Sequence, residues 1–441
     1  PARWDDSPAP AFISWWGGMA RGHTRRSRKQ EGPTMDLGHK PTARHPARVR
    51  PADFANLSER QEAVRIKMGP YGEEGTSAMM KTFLNYPEFA RSIGRIGTRA
   101  TLTSDLPRRL AALAALRTAW LCDCEYLWAH IRQAATAAGM PDAAIGAVAQ
   151  GDYRAVLNSI EAHTAEAIDE LHQTHYLSDE KWYRIGLLGP TAVMDIMTSY
   201  AFFATLSAAV NSMGVELESG LGAWGWPRPA GPATGAAPRA LRQLPKRVFE
   251  ADYALLGPRQ QEQANRLGRR GKPTTSKLQK AMINYPEFLV SIAAFGKRAI
   301  DDTSLPPRVW QLAAMRVVWL CDSEYLWSQH RKACLKLGVT DQDLAGVAEG
   351  PGAAALRGFD RVVVATVDDL YHRNRVSDAN WGQFDQFGPE GITDLILVYG
   401  LYILQSCVAR NFGTTLEDNS LGYLPALEAL RAGQQRAADH A

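Results

Sequence analysis

The sequence predicts an all-α protein built from two tandem helical domains. The sequence repeats itself at an offset of 199 residues, so that Asn85, for example, corresponds to Asn284. The repeated segments are predicted to be helical. Neither copy contains a convincing run of alternating strand residues. A length of 441 residues is also about three times that of a usual single domain. We therefore expect each copy to bury a core of its own.

The repeat sets the predicted domain boundaries. Identical segments recur without insertions, at 85–89 and 284–288, at 120–123 and 319–322, and at 125–128 and 324–327. The residues between the copies are rich in Gly, Pro and Ala, which is typical of a linker. Residues 1–34 precede Met35 and are expected to lie either outside the native fold or upstream of its true start. The predicted parts are a basic disordered tail at 1–48, domains at 49–218 and 248–417, a linker at 219–247, and a C-terminal tail at 418–441.

Each half is predicted to contain a helical hairpin. In the first half, Pro107 suits a helix start, and apolar residues at three- and four-residue steps continue that helix to Leu121. Asp123 is expected to cap the next helix, which stops at Gly139, as its counterpart does at Gly338. Further helices of the first half are predicted over 153–176, 179–188 and 191–213.

The last helix of the second half, over 394–410, is apolar nearly all round. Such a helix is buried on every side, and we expect a subunit interface to cover it. The longest apolar runs, 200–210 and 395–404, are shorter than the roughly 20 residues that cross a bilayer. We therefore expect no membrane-spanning segment.

The composition is typical of a folded globular protein, with 45% hydrophobic and 22% charged residues. The five cysteines are too few and too scattered for the disulfide framework of a small secreted protein. No signal peptide opens the chain, so we expect a cytoplasmic location. A basic patch at 21–29 lacks interleaved aromatic residues, and we expect a solvated tail there rather than a nucleic-acid site.

Two arginines lie on the apolar stripes of their helices. Arg117 and Arg316 are equivalent positions of the repeat, and a buried guanidinium without an anionic partner costs several kcal/mol. Two kinds of partner remain open: a carboxylate at the turn of the hairpin, or a substrate carboxylate. The candidate acids at the turn are Asp123 and Glu125 in the first half, and Asp322 and Glu324 in the second.

His330 lies on the inward stripe of its helix, where the first half has Ile131. His130 is one residue earlier in the repeat and matches Gln329, so it points to a different side of the helix. A hydrogen-bonded core histidine is one interpretation of His330. An acid–base residue is the other, because an acid, a tyrosine, a thiol and an arginine lie within two helical turns. These neighbours are Glu324, Tyr325, Cys321 and Arg316.

The sequence gives no redox or metal motif. Cys122 and Cys124 have one residue between them, whereas a dithiol motif needs two, so small buried cysteines are expected. His172 and His175 become Tyr371 and Asn374 in the second half, so we expect no metal site.

The hairpin motifs resemble the core of the carboxymuconolactone decarboxylase family, which includes the alkylhydroperoxidase AhpD-like proteins. In the second half the resemblance rests on 305–308, Arg316, 324–330, Ala333 and Gly338, and in the first half on 106–109, Arg117, 125–128, Ala134 and Gly139. The resemblance implies two tandem AhpD-like helical domains, no cofactor, and assembly into homo-oligomers with sites near subunit contacts.

The resemblance also places the functional positions of the family on this chain. The active-site histidine falls on His330 in the second half and on Ile131 in the first. The dithiol positions fall on Cys124 and Leu127, and on Ser323 and Leu326; the acidic relay falls on Ala112 and Gln311. Neither half keeps a working dithiol, so the resemblance does not imply thiol peroxidase activity. Neither half keeps the relay acid either, so the acid expected for classical lactone decarboxylation is missing.

Our leading hypothesis is a cofactor-independent enzyme that acts on a small acidic or carbonyl substrate by decarboxylation or proton transfer, such as isomerisation or elimination. In the second half, Arg316 would hold a carboxylate or enolate, and His330 would move the proton. Glu324 would orient either of them, and Tyr325 would donate a hydrogen bond. A possible secondary site comprises His130, Glu125, Arg117, Tyr126, Cys122 and Cys321.

Two alternatives remain open. One is a hydroperoxide reductase of the AhpD-like type. The other is a duplicated assembly or binding module without catalytic activity, in which the loss of the relay acid, the dithiol and one histidine reflects lost chemistry.

Overall fold

The computed structural model describes residues 47–68, 73–218, 221, 244–267, 274–425 and 427–431. Throughout these residues helices alternate with turns, and no strand occurs. The predicted all-α fold is therefore confirmed. Nearly all of the predicted N-terminal tail and most of the predicted linker lie outside the described residues.

The described helices follow the repeat. Those of the first half are α1 (Glu59–Met68), α2 (Ala78–Phe83), α3 (Pro87–Thr101), α4 (Arg108–Leu121), α5 (Glu125–Ala137), α6 (Asp142–Gln150), α7 (Tyr153–Val156), α8 (Ser159–Thr174), α9 (Asp179–Gly186) and α10 (Ala192–Met213). Those of the second half are α11 (Pro258–Leu267), α12 (Lys277–Met282), α13 (Pro286–Gly296), α14 (Pro307–Leu320), α15 (Glu324–Lys336), α16 (Asp341–Glu349), α17 (Phe359–Arg373), α18 (Asp378–Trp381) and α19 (Gly391–Phe412).

Two local predictions about these helices are wrong. Asp123 does not cap α5: it adopts a left-handed backbone conformation (φ 53°) in the turn, and Cys124 is the N-cap without a side-chain hydrogen bond. The helix predicted over 153–176 is interrupted, because Asn158 and Glu161 form a capping box at 3.1 and 3.2 Å that starts α8.

The two halves pack against each other through their longest helices. Helix α10 lies against α19, and α3 lies against α13. By length and composition alone, α10 and α19 could each cross a membrane, since both have 22 residues; their apolar windows are 100% and 94% buried inside the protein. The prediction that the apolar segments are too short to cross a bilayer is therefore wrong. The expected subunit interface over α19 is also wrong, because α10 of the same chain covers it.

Equivalent arginines tie each half to the other. Arg48, which precedes the first half's helices, donates from Nε to Asp378 Oδ1 at 2.8 Å and from Nη1 to the carbonyl of Val376 at 2.7 Å. Its repeat counterpart Arg247 pairs in the same way with Asp179 of the first half. The halves therefore form one unit with matching contacts in both directions.

Candidate functional site

Arg316 is fully engaged by its own chain. Its Nε and Nη2 donate to the two carboxylate oxygens of Asp368 on α17, at 2.6 and 2.9 Å. Its Nη1 donates to the carbonyls of Val347 and Ala348 at 2.9 and 2.7 Å. The prediction that an acid at the hairpin turn neutralises Arg316 is therefore wrong. All three nitrogens of this buried guanidinium are thus bonded within the chain, and four of its five N–H donors are used, which leaves one N–H of Nη2.

Arg117 repeats this arrangement in the first half. Its Nε donates to Asp169 Oδ1 at 2.6 Å, and its Nη1 donates to the carbonyl of Val148 at 2.9 Å. The hydroxyl of Tyr153 also donates to Asp169, at 2.7 Å. Both arginines are thus staples between helices. Their acids, Asp169 and Asp368, were not among the predicted partners, although the two are equivalent positions of the repeat.

Glu324 and Tyr325 face away from His330. Glu324 is exposed at the start of α15, where its Oε1 accepts a long hydrogen bond of 3.4 Å from the backbone of Tyr423. Tyr325 is buried, and its hydroxyl donates to Glu417 Oε1 at 2.7 Å. The structure therefore does not bring the four predicted catalytic residues of the second half into one site.

The first half contains a cluster of three side chains that only partly matches the predicted secondary site. Tyr126 donates to Glu218 Oε1 at 2.8 Å, and His130 Nε2 lies 2.8 Å from Glu218 Oε2. Burial opposes ionisation of Glu218, but the hydrogen bond and charge of His130 and the backbone N–H of Ala78 prevail and lower its pKa to about 2. Glu125 is half-buried and takes no part in these hydrogen bonds. Glu218 was missed, although the predicted domain ends on it.

The cysteines singled out from the sequence are buried thiols. Cys122, Cys124 and Cys321 are all free and buried. Burial raises the pKa of Cys124 and of Cys321 to about 12, so both stay protonated at neutral pH. Cys122 and Cys321 therefore do not extend the first-half cluster as nucleophiles.

His330 lies in a different environment, made of α14, α15 and α19. Its Nδ1 is 2.9 Å from Oε1 of Gln311, and the Cys334 thiol approaches the same oxygen at 3.9 Å. The ring of Tyr402 meets the imidazole edge to face, with centroids 4.8 Å apart, and that of Trp310 does so at 6.2 Å. We call these five residues the His330 cluster.

Protonation of His330 is set by this environment. Burial lowers its pKa to about 4, so the imidazole is neutral at pH 7. An amide oxygen only accepts hydrogen bonds, so Nδ1 carries the ring proton toward Gln311 and Nε2 keeps its lone pair. Among the described residues no side chain bonds to Nε2, and the ring is half-buried rather than enclosed.

The repeat provides an internal comparison for this cluster. Each member has an apolar counterpart in the first half. Trp310, Gln311, His330, Cys334 and Tyr402 correspond to Ala111, Ala112, Ile131, Ala135 and Phe203. The polar character of the second half is thus absent from the first at every position of the cluster.

The described residues contain no group of three or more His, Cys, Asp or Glu side chains that could hold a metal ion. His172 and His175 instead lie beside Tyr200, and His175 also stacks on Tyr371 of the other half. Burial lowers the pKa of His172 to about 4 and that of His175 to about 3.

Comparison with known proteins identifies the domains. Residues 87–170 and 286–366 match the carboxymuconolactone decarboxylase family. The chain contains two carboxymuconolactone decarboxylase family domains in tandem. No curated protein and no solved structure shows a significant match to the chain.

The matched region of the second carboxymuconolactone decarboxylase domain contains His330 and Gln311. The resemblance gave these two residues the positions of the family's histidine and acidic relay, and the structure joins them by a hydrogen bond. An amide replaces the acid, so Gln311 can orient the imidazole but cannot relay a proton as a carboxylate does.

Proposed function

We propose that the second domain catalyses a cofactor-independent proton transfer with His330 as the base. The observation that carries this proposal is the His330 cluster, whose polar members all have apolar counterparts in the first domain. A core that contains a histidine, an amide and a thiol is less stable than one with isoleucine and alanine at the equivalent positions, because burying polar groups costs free energy. Polar residues that replace apolar core residues in only one of two equivalent domains are typical of a functional site.

The protonation state of His330 favours one class of reaction. With a pKa of about 4, the imidazole starts the reaction as a base and not as an acid. Nε2 would remove a proton from a carbon beside a carbonyl group and return it at another carbon, or to water if a leaving group departs. Isomerisation and elimination therefore fit the site better than decarboxylation, whose enolate product has to receive a proton.

Arg308 replaces Arg316 as the candidate cation for an acidic substrate. It lies three residues before Gln311 on α14, so both side chains emerge on one face of the helix. Burial raises the pKa of Cys334 to about 12, and the positive charge of Arg308 acts in the opposite direction. Arg308 therefore lies close enough to influence a member of the His330 cluster. Nε and Nη2 bond to Asp360 at 3.2 and 2.6 Å, and Nη2 also lies 3.7 Å from Asp343 Oδ2, whereas Nη1 has no hydrogen bond among the described residues. We propose that Nη1 receives a substrate carboxylate.

Neither thiol chemistry nor the first domain enters this proposal. In the first domain Ile131 stands at the histidine position, and Cys124, at a family dithiol position, is buried with a pKa of about 12. The first domain would serve as the partner that covers α19 of the second.

The test follows carbon-bound protons directly. The full chain is incubated in deuterium oxide with small keto acids and unsaturated lactones, and deuterium incorporation is followed by NMR. His330→Gln should lower the exchange rate by about 10²- to 10⁴-fold, the usual contribution of a general base. His372→Gln, which changes an exposed histidine of the same domain, is the matched control.

Thermal unfolding of both variants separates catalysis from folding. We expect melting temperatures within a few degrees of the parent, because Gln can keep a hydrogen bond to Gln311. Equal exchange rates for the parent and His330→Gln would exclude His330 as the base. Absence of catalysed exchange with every compound would favour the non-catalytic alternative.

A further inference from the structure

The hairpin turn of the second domain carries more positive charge than negative. Arg410 Nη1 lies 2.8 Å from Asp322 Oδ2, and Arg431 pairs with the other oxygen of the same carboxylate. Arg431 also donates from Nη2 to the carbonyl of Trp319 at 2.7 Å. Two guanidinium groups therefore share one carboxylate. The next acid, Glu324, is exposed and bonds to the backbone of Tyr423 instead.

Both cations are withdrawn from water. Arg410 is only 7% exposed, and the Arg431 guanidinium lies over the rings of Trp319 and Tyr423, at 4.2 and 4.7 Å from their centroids. Burial of a net positive charge is unfavourable unless an anion accompanies it. The excess of one cation is thus a cost that an additional anion would remove.

Unused hydrogen-bond donors point to the same conclusion. Nε of Arg410 and Nε of Arg431 are buried and have no hydrogen-bond partner among the described residues. The hydroxyl of Tyr423, whose ring lies under Arg431, is likewise buried without a partner in this part of the chain as the structure describes it. Buried donors are nearly always paired in folded proteins, so three unpaired donors at one turn require an explanation.

The first domain does not share the arrangement. Its counterpart of Arg410 is Asn211, which donates from Nδ2 to the carbonyls of Cys122 and Asp123 at 3.2 and 3.3 Å. Asparagine is sufficient to hold the turn in that domain. Arg410 makes the equivalent contact, since its Nη1 donates to the carbonyl of Asp322, and it adds a positive charge that Asn211 lacks.

We propose that this turn binds a small oxyanion, a carboxylate or a phosphate, between Arg410 and Arg431. Arg431 and Asp322 have 20% and 27% of their side chains exposed, so the ligand reaches the buried Arg410 through them. Residues 421–425 and 427–431 lie beside the turn, since Tyr423 packs on Trp319 and Arg431 bonds to its carbonyl. They would shift when the anion enters, because the unpaired donors are closed to solvent. The site is separate from the His330 cluster, with which it shares no residue.

The experiment is calorimetric titration of the full chain with inorganic phosphate and, separately, with acetate, at constant ionic strength. Intrinsic tryptophan fluorescence, to which Trp319 under Arg431 contributes, gives a second readout. We expect saturable binding of one anion per chain, with the preferred anion identifying the class of ligand. Arg410→Asn, which installs the first domain's residue, should weaken binding about ten- to a hundredfold, as expected for one charge-assisted hydrogen bond.

Arg373→Gln is the control, since it removes an exposed cation of the same domain, with 73% of its side chain accessible, and should leave binding unchanged. Arg431→Gln is the second variant, and it decides the question if circular dichroism shows that Arg410→Asn is misfolded. Saturable binding lost in either variant but kept in the control supports the site. Absence of saturable binding of both anions, or equal affinity in the parent and the variants, overturns it.

Discussion

Replacement of Gly400 by alanine should destabilise the packing between the two domains. A Cβ atom at this position would lie 2.1 Å from Oγ1 and 2.6 Å from Cγ2 of Thr205, on the facing helix α10. Thr205 cannot turn away easily, because it is β-branched and its hydroxyl donates to the carbonyl of Ala201 at 2.6 Å. The two central helices would have to separate locally.

The expected size of the effect follows from two opposing terms. Overpacking a core costs about 1–3 kcal/mol, and three contacts below 3.0 Å, all with atoms of Thr205, place this substitution at the upper end. Alanine gains about 1 kcal/mol over glycine from its helix propensity. We therefore expect Gly400→Ala to lower the free energy of unfolding by about 2 kcal/mol.

Urea unfolding followed by circular dichroism measures this difference. Gly94→Ala in α3 is the matched control: no atom lies within 4 Å of the new Cβ, so it should stabilise the chain by about 0.5–1 kcal/mol. Adding Thr205→Ala to Gly400→Ala removes the two closest atoms, Oγ1 and Cγ2, and leaves only Cβ at 2.9 Å, so it should restore most of the loss. Gly400→Ala as stable as the parent would refute the close approach of α10 and α19.

Three further predictions concern buried ionisable groups. Arg316→Met leaves the carboxylate of Asp368 without its cation and should cost about 3–5 kcal/mol in urea unfolding; a smaller loss would argue against the staple. Glu218 has its pKa lowered to about 2 from 4.5, so its ionised form stabilises the fold above pH 4.5 and this contribution is lost as the pH falls toward 2; Glu218→Gln should remove that part of the pH dependence. The pKa of His330 is about 4 in the folded chain and 6.5 in the unfolded chain. As the pH drops from 6.5 to 4, the unfolded chain is protonated at this residue before the folded chain is, so the free energy of unfolding falls. His330→Gln should show a shallower fall in the same unfolding series, and an identical slope would contradict the lowered pKa of the half-buried imidazole.

The sequence predicts the fold well because its signals are local or periodic. Helix spacing and the 199-residue repeat lead to two helical domains, and the glycines at 139 and 338 adopt the left-handed conformation that ends a helix, with φ of 84° and 74°. What covers α19 does not follow from its composition. A helix that is apolar all round must be buried, but the pattern does not specify whether another subunit or the other half of the chain covers it.

The candidate site was less predictable because its contacts are distant in sequence. The burial of Arg316 and its need for an anion follow from the helix pattern, yet its partner Asp368 is 52 residues away. Reasoning along one hairpin could only offer acids at the turn. The contact of His330 with Gln311 joins neighbouring helices of the hairpin, so the resemblance could place both residues.

Covalent joining of two equivalent domains explains why so many contacts occur only once. In a homodimer every substitution appears in both subunits, so a polar cluster or a buried charge costs stability twice. In this chain the close approach at Gly400 faces Thr205, whereas the equivalent positions hold Ala201 and Leu404. In the same way, the second domain has His330 at a position where the first domain has an isoleucine, Ile131. One domain can therefore keep an apolar hairpin that stabilises the pair while the other carries the polar residues that chemistry requires.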